Sequence, residues 1–298
     1  FFGWGSYKIS FLDSLLKGYE FISYDSRMRA RTAGVEQMSI EDVVIIDIDN
    51  TSVGPVEEGG LGRYHNWPHA YHGELINTVS SGNPKALLFD VIFDQENTYK
   101  YDLVRALSST SSNTSNDLNE ATNQFLYSND PEKFVTATTN SSQTYHAIVF
   151  EEEDTLNFLP KMFSEPEGYE FSDHIIFGVS DEAKSKLPQA DRIGNTYVEL
   201  LSASKGNGSA NFPQDNDGVI RRAPTAIYFD GADHVYPSLV MSAVIDILGI
   251  KKDGGFDYDF KNNVLNLIDT TDTVVRTIPI DDNGRMYVNY FGKFQTFY

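Results

Sequence analysis

Apolar and polar positions along the chain alternate between helical and strand periods, and that alternation predicts the elements. From Ser10 to about Arg31, Leu12, Leu15, Leu16, Tyr19 and Ile22 recur at helical spacing, so the sequence predicts a long amphipathic N-terminal helix. It turns basic at Arg27, Arg29 and Arg31, where cations suit the C-terminal end of the helix dipole. In Glu41 to Ser52, EDVVIIDIDNTS, the apolar residues Val43, Val44, Ile45, Ile46 and Ile48 predict a buried strand that delivers Asp47 and Asp49 into a polar loop. A glycine-rich loop leads to a helix near Trp67-Pro68, with Asn66 as its expected cap and Tyr71, Leu75, Ile76 and Val79 as its expected buried stripe. Lys85–Phe93, KALLFDVIF, reads as a second buried strand carrying Asp90. Strand, helix and strand in this order predict a βαβ unit whose two strands are parallel.

A further helix is expected from Tyr99 to about Leu107. Ser108–Asn123 has little to bury and reads as a flexible insertion, and His146–Phe150 reads as a third strand. Phe158–Gly208 has no clear period. Order returns with the turn Asp215-Asn216-Asp217-Gly218, followed by the alternating Val219–Phe229. Pro237 opens a helix, SLVMSAVIDIL, which Gly249 closes; being apolar almost all round, it belongs between two layers of core. Val264–Ile268, Val274–Ile280 and the alternating Met286, Val288 and Tyr290, with a tight turn at Asn283-Gly284, predict antiparallel C-terminal strands. The expected fold is α/β: a single domain over 1–298 with a mixed central sheet, a βαβ N-terminal part, antiparallel C-terminal strands and a long N-terminal helix.

Charge narrows the choice of partners. The net charge of −20, from 43 acids against 23 bases, repels phosphate backbones, so nucleic acid is not an expected partner. Cysteine is absent, which removes disulfides, thiolate metal sites and cysteine nucleophiles. The opening FFGWG, with Phe1, Phe2, Trp4 and Tyr7 ahead of Lys8, resembles the aromatic margin of a membrane helix. It points to an excised piece of a larger membrane protein.

Asp47-Ile48-Asp49-Asn50-Thr51 matches the DxDxT signature of the haloacid dehalogenase phosphatases, in which the first Asp attacks phosphorus and the second serves as acid and base beside Mg²⁺. The late acidic pair that such enzymes need has one counterpart, Asp281-Asp282. It stands before Asn283-Gly284 and so caps a hairpin. His65, His69 and His72 invite a metal reading, but there is no HExxH, and histidines at a helix start serve more often as surface or core polar residues; no metal is expected. Asp215, Asp217 and Gly218 begin like a calcium loop but lack its remaining spacing. Arg221 and Arg222, adjacent on a predicted strand, should point to opposite faces, one reaching a strand-end carboxylate such as Asp49 or Asp90.

The order of these pieces resembles the type-two CHASE domain, the extracytoplasmic sensor of bacterial adenylate cyclases, histidine kinases and protein kinases. The residues that carry the resemblance are Asp25 and Arg27; Ile48, Asp49 and Ser52; His65-Asn66-Trp67-Pro68-His69 leading through Leu75 and Ile76; and Leu88-Phe89-Asp90-Val91-Ile92-Phe93 with Asp102 after it. They continue with Asp215 and Asp217-Gly218-Val219-Ile220-Arg221-Arg222, Pro237-Ser238-Leu239, and Val288-Asn289-Tyr290-Phe291-Gly292. The first Trp-Pro of the family's WPWPR segment is replaced here by His65-Asn66, and its Arg by His69.

The resemblance implies a sensory input domain outside the cytoplasmic membrane, with 1–31 as a membrane-proximal helix, flanking membrane helices, a cyclase or kinase output and a homodimeric receptor. It implies no catalysis and no cofactor in this chain. The stimulus, a small molecule or an environmental change, is expected at a strand end bearing Asp49, Trp67, His69 and Asp90, with Arg221 or Arg222 near it. On the same comparison Asp49, and not Asp47, is the family's recurrent acid.

Overall fold

The computed structural model describes residues 18–31, 43–55, 58–64, 67–93, 132–151, 174–215 and 217–289. The chain divides into two compact units, a smaller one of Phe1–Gly60 with Val288–Tyr298 and a larger one of Leu61–Tyr287. The expected helix at 99–107, the insertion at 108–123, the aromatic start and His65-Asn66 lie outside the described residues.

In the smaller unit, 18–31 is helical throughout (α1). Its half-buried stripe is Phe21, Tyr24, Asp25 and Met28, while Tyr19 and Ile22, expected on the buried face, are exposed. The expected strand at Val43–Asp49 is also corrected. It pairs with no strand among the described residues, and Val43, Val44, Ile45, Ile46 and Ile48 are all exposed. A run of β-branched residues makes strand geometry easy but supplies no neighbour for the ladder.

The larger unit is built around β2 (Thr144–Glu151). Its first half pairs in parallel with β1 (Leu87–Phe89) on one edge and with β5 (Gly206–Ser209) on the other. Its second half pairs antiparallel with β4 (Arg192–Asn195), giving a mixed sheet. The parallel partner of β1 is therefore β2, not the 43–49 stretch.

Side chains on the two faces of β2 alternate, as the pleat requires. Tyr145 and Ala147 meet Leu239 and Ala243 of α6 (Leu239–Leu248). His146 faces the opposite layer of α2 (His69–Ser80) and α3 (Glu132–Ser141). The other side of α6, Met241 and Ile245, packs on a second core with Leu265, Leu267 and Phe256. That places the apolar helix between two layers, as its composition predicts. Its ends also match: Ser238 accepts from the Met241 N–H, and Gly249 closes the helix in the left-handed conformation at φ 65°.

The short helices α4 (Asp181–Lys186) and α5 (Val198–Ala203) complete the helical set among the described residues. The second core is covered by an antiparallel sheet of β9 (Phe256–Asp259), β10 (Val264–Ile268) and β11 (Val274–Pro279). Smaller ladders join β3 (Gln189–Ala190), β7 (Ala226–Phe229) and β8 (His234–Pro237), and β6 (Arg222–Pro224) with β12 (Arg285–Tyr287).

Two glycines set the distances between these layers. A Cβ on Gly208 would lie 2.7 Å from backbone atoms of Leu239, so β5 and the start of α6 meet backbone to backbone. A Cβ on Gly73 would lie 2.8 Å from the Lys133 carbonyl oxygen and 3.2 Å from the Phe134 Cα, so α2 and α3 do the same. In an open helix Gly→Ala gains about 1 kcal/mol. Here the methyl group has no room, and overpacking costs about 1–3 kcal/mol. Gly73→Ala is therefore expected to lower the urea midpoint of unfolding; an unchanged or raised midpoint would show that the two helices can separate freely.

Candidate functional site

α2 begins without a side-chain cap: Pro68 occupies the N-cap position and makes no such bond. Its buried residues are Ala70, His72, Gly73 and Ile76, whereas Tyr71, Leu75 and Val79 are only half-buried. The stripe expected from apolar spacing is thus rotated, because the histidines contribute to the buried side. His72 is 5% exposed and His146 is fully buried.

Three imidazoles and a set of aromatic rings occupy one space between α2, α3, β1 and β2. His69 stacks on Tyr197 with ring centres 5.8 Å apart. His72 meets Phe93 at 4.9 Å and Phe134 at 5.4 Å. Phe89 stacks on His146 at 5.0 Å, and Phe134 meets it edge-on at 5.5 Å. Trp67 stands at the margin, 6.2 Å from His72, with Tyr64 at 5.1 Å from it, and its indole N–H donates to the Gly62 carbonyl at 2.9 Å.

This environment disfavours charge. Removal from water, helped by neighbouring His69, lowers the pKa of His72 from 6.5 to about 4. Removal from water, with a smaller contribution from His72, lowers that of His146 to about 3. Neither ring nitrogen of His146 has a hydrogen-bond partner among the described residues. Both histidines are neutral at pH 7.

A second polar assembly lies at the turn before β6. Arg221 is outside the ladder, so strand alternation does not separate it from Arg222, and both guanidinium groups converge on Asp215. Arg221 also makes a two-pronged contact with Asp217, at 2.9 and 2.8 Å. Arg222 donates to Asp281 at 2.9 Å, and Asp281 accepts further from the Arg285 side chain at 2.9 Å. The order is Asp217, Arg221, Asp215, Arg222, Asp281, Arg285, with charges alternating along it. Arg221 and Asp215 are almost fully buried, their side chains 3% and 2% exposed.

The bond to Arg221 holds the Asp217 carboxyl down at about 2. Burial would raise Asp281, but N–H donors from Arg285 and Asn283 outweigh it and keep its pKa below the usual value. Arg222 loses hydration on burial, yet its bonds to Asp215 and Asp281 raise its pKa.

The expected residues thus fall into separate groups. Trp67 and His69 belong to the histidine–aromatic space. Asp90 is exposed just past β1. Arg221 and Arg222 belong to the ion chain. Asp49 belongs to the smaller unit and is turned onto its own loop: it accepts from the Ser52 N–H at 2.8 Å and the Ser52 hydroxyl at 2.7 Å, which lowers its pKa.

The phosphatase reading gains no support. Its acids sit on an exposed, unpaired segment, and Asp281 is engaged by two arginines. No group of three His, Asp or Glu residues placed to hold a metal ion occurs among the described residues. His146 and Phe134 were not singled out as site residues from the sequence, His72 was weighed only as a metal ligand, and Asp281 only as half of a late acidic pair. His146 could have been flagged as the one ionisable residue of the expected strand His146–Phe150.

In the smaller unit α1 is bonded to residues 288–289. The Tyr24 hydroxyl donates to the Val288 carbonyl, and Arg31 donates to the Asn289 side chain at 2.5 Å. No helix among the described residues is long and apolar enough to cross a membrane. A family model described as the CHASE2 domain matches residues 5–298. No curated protein and no solved structure matches the chain.

Proposed function

The chain belongs to the CHASE2 domain family, a family of sensory extracellular domains, and from that premise we propose that it is the extracytoplasmic input domain of a bacterial transmembrane receptor. In this reading the receptor is a homodimer anchored by flanking membrane helices, and it passes a stimulus to a cytoplasmic cyclase or kinase. The observation that carries the proposal is the bonding of α1 to the 288–289 segment within one unit. A domain inserted between membrane helices needs its entering and leaving segments side by side, because a shift of one against the other is the signal available to the membrane. The ligand-binding role of Asp49, Trp67, His69, Asp90, Arg221 and Arg222 is part of the same proposal, with Trp67 and His69 favoured by their place in the histidine–aromatic space.

The test is a receptor carrying Tyr24→Phe with Arg31→Ala, assayed for output in its native membrane at matched receptor levels. Both bonds are removed while the larger unit is untouched. The expected result is a basal output displaced from wild type by a factor of several. Unaltered basal output together with an unaltered response would overturn this route of transmission.

A further inference from the structure

His146 poses a question that packing does not answer. A buried polar group without a partner costs about 1–3 kcal/mol, and a phenylalanine would fill the same aromatic space at no such cost. His72, one layer away on α2, is buried against Phe93 and Phe134 in the same space and is likewise held neutral. Two histidines that disfavour charge thus lie buried between α2, α3 and the sheet. Protonation of either is disfavoured while α2 and α3 are closed on the sheet, because burial penalises the charged ring, and is unhindered once the ring meets water.

We propose that His72 and His146 are a proton-binding site, so that acidification is a stimulus this domain reads, with α2 and α3 as the elements that open. The inference rests on the sensory reading above and names its stimulus. Among the described residues no opposing charge faces either ring in the closed state. α2 supplies only His69 and His72 to this space. On α3 the charged residues are Glu132, exposed on the first turn, and half-buried Lys133. β1 supplies no ionisable side chain, and Asp90 beyond it is exposed. β5 supplies the uncharged Asn207, buried beside His146 in the ladder. Before α5 stands Tyr197, and Glu199 on α5 is exposed. Tyr64, edge-on to His72, is pushed by burial toward its neutral form.

The direction follows from linkage. In the open state each histidine titrates near 6.5; in the closed state His72 titrates near 4 and His146 near 3. Closed-state stability is whole above pH 6.5 and is lost as pH falls from there toward those values. Each histidine multiplies the open-to-closed ratio by about ten per pH unit in this window, so the pair gives about a thousandfold between pH 7.5 and pH 5. Paired carboxylates such as Asp217 and Asp281 titrate below 3.8 and leave the window to the histidines.

The experiment is urea unfolding of the 298-residue chain at half-unit steps from pH 7.5 to 5, with imidazole proton resonances followed by NMR over the same range. The wild type is expected to lose about a thousandfold in its folding constant. His72→Phe and His146→Phe should each remove about thirtyfold of that loss, and the double variant nearly all of it, while native His72 and His146 stay neutral down to pH 5. A double variant that keeps the wild-type pH dependence, or native histidines titrating near 6.5, would overturn the proposal; should a phenylalanine variant fail to fold at pH 7.5, the wild-type resonances alone decide it. If the two-proton opening is present but the membrane-embedded receptor gives the same output at pH 7.5 and 5, the sensory role falls while the proton site stands.

Discussion

Asp215→Ala is expected to destabilise the protein by about 3–5 kcal/mol, the penalty for leaving a buried charge without its partner. Asp215 is the one acid in its chain that holds both Arg221 and Arg222, and its side chain is 2% exposed. Without it Arg221, 3% exposed, keeps Asp217, a carboxylate that is half in water. Arg222 keeps Asp281, which it already shares with Arg285. The same residue shapes the turn: its N–H donates to the Val219 carbonyl and its carbonyl accepts from Gly218, so the variant tests the side chain on an otherwise intact backbone.

Replacing an entire buried ion group with apolar residues is often neutral, because the cost of dehydrating the charges disappears with them. Asp215→Leu combined with Arg221→Met should accordingly lose less than Asp215→Ala alone. Urea unfolding of the three proteins decides the matter. A loss under 1 kcal/mol for Asp215→Ala would mean that water reaches Arg221, and the chain would then be a surface feature.

The ion chain also marks where sequence reading reaches its limit. Asp215, Asp217, Arg221 and Arg222 lie within eight positions of one another and were visible as a group. Asp281, 59 residues beyond Arg222, was not, because nothing local announces which strand will lie beside β6. The C-terminal hairpin of β10 and β11 was legible, since Leu265 and Leu267 alternate with half-exposed neighbours on a sheet with one buried face. So was α6, bounded by a serine cap and a left-handed glycine. β5, with sequence GNGS, was not, because two glycines alternating with two small polar residues offer no apolar period to read. α3 was missed because, apart from Ala137, its TATTNS half is made of poor helix formers, so packing on α2 decides its conformation. At 43–49 the error ran the other way: five β-branched residues satisfy the strand pattern whether or not a partner exists. The histidines were discounted as polar, although an aromatic ring that is neutral at pH 7 packs much as phenylalanine does.

Phe134→Ala is expected to cost about 3–5 kcal/mol at pH 7.5, the usual range for deleting a fully buried ring. Phe134 has no exposed surface and touches His69, His72, Phe89, Phe93 and His146, with ring centres between 4.9 and 5.8 Å away. It is the only side chain of α3 in contact with all three imidazoles among the described residues. Its removal has a second consequence with the opposite sign. The space left beside His146 is bordered by two ring nitrogens that lack partners among the described residues, so water can enter and be held there, as it would not be in a purely apolar cavity. Hydration weakens the main cause of the low His146 pKa, which then rises toward 6.5, and the gap between closed and open states narrows. The variant should therefore be less stable than wild type at pH 7.5 yet lose less on going to pH 5, so that the two stability curves converge. Urea midpoints at both pH values, with the His146 resonance as a direct readout, test this. Curves that run parallel, displaced by a constant amount, would show that Phe134 contributes packing alone and that His146 owes its neutrality to some other part of the lid.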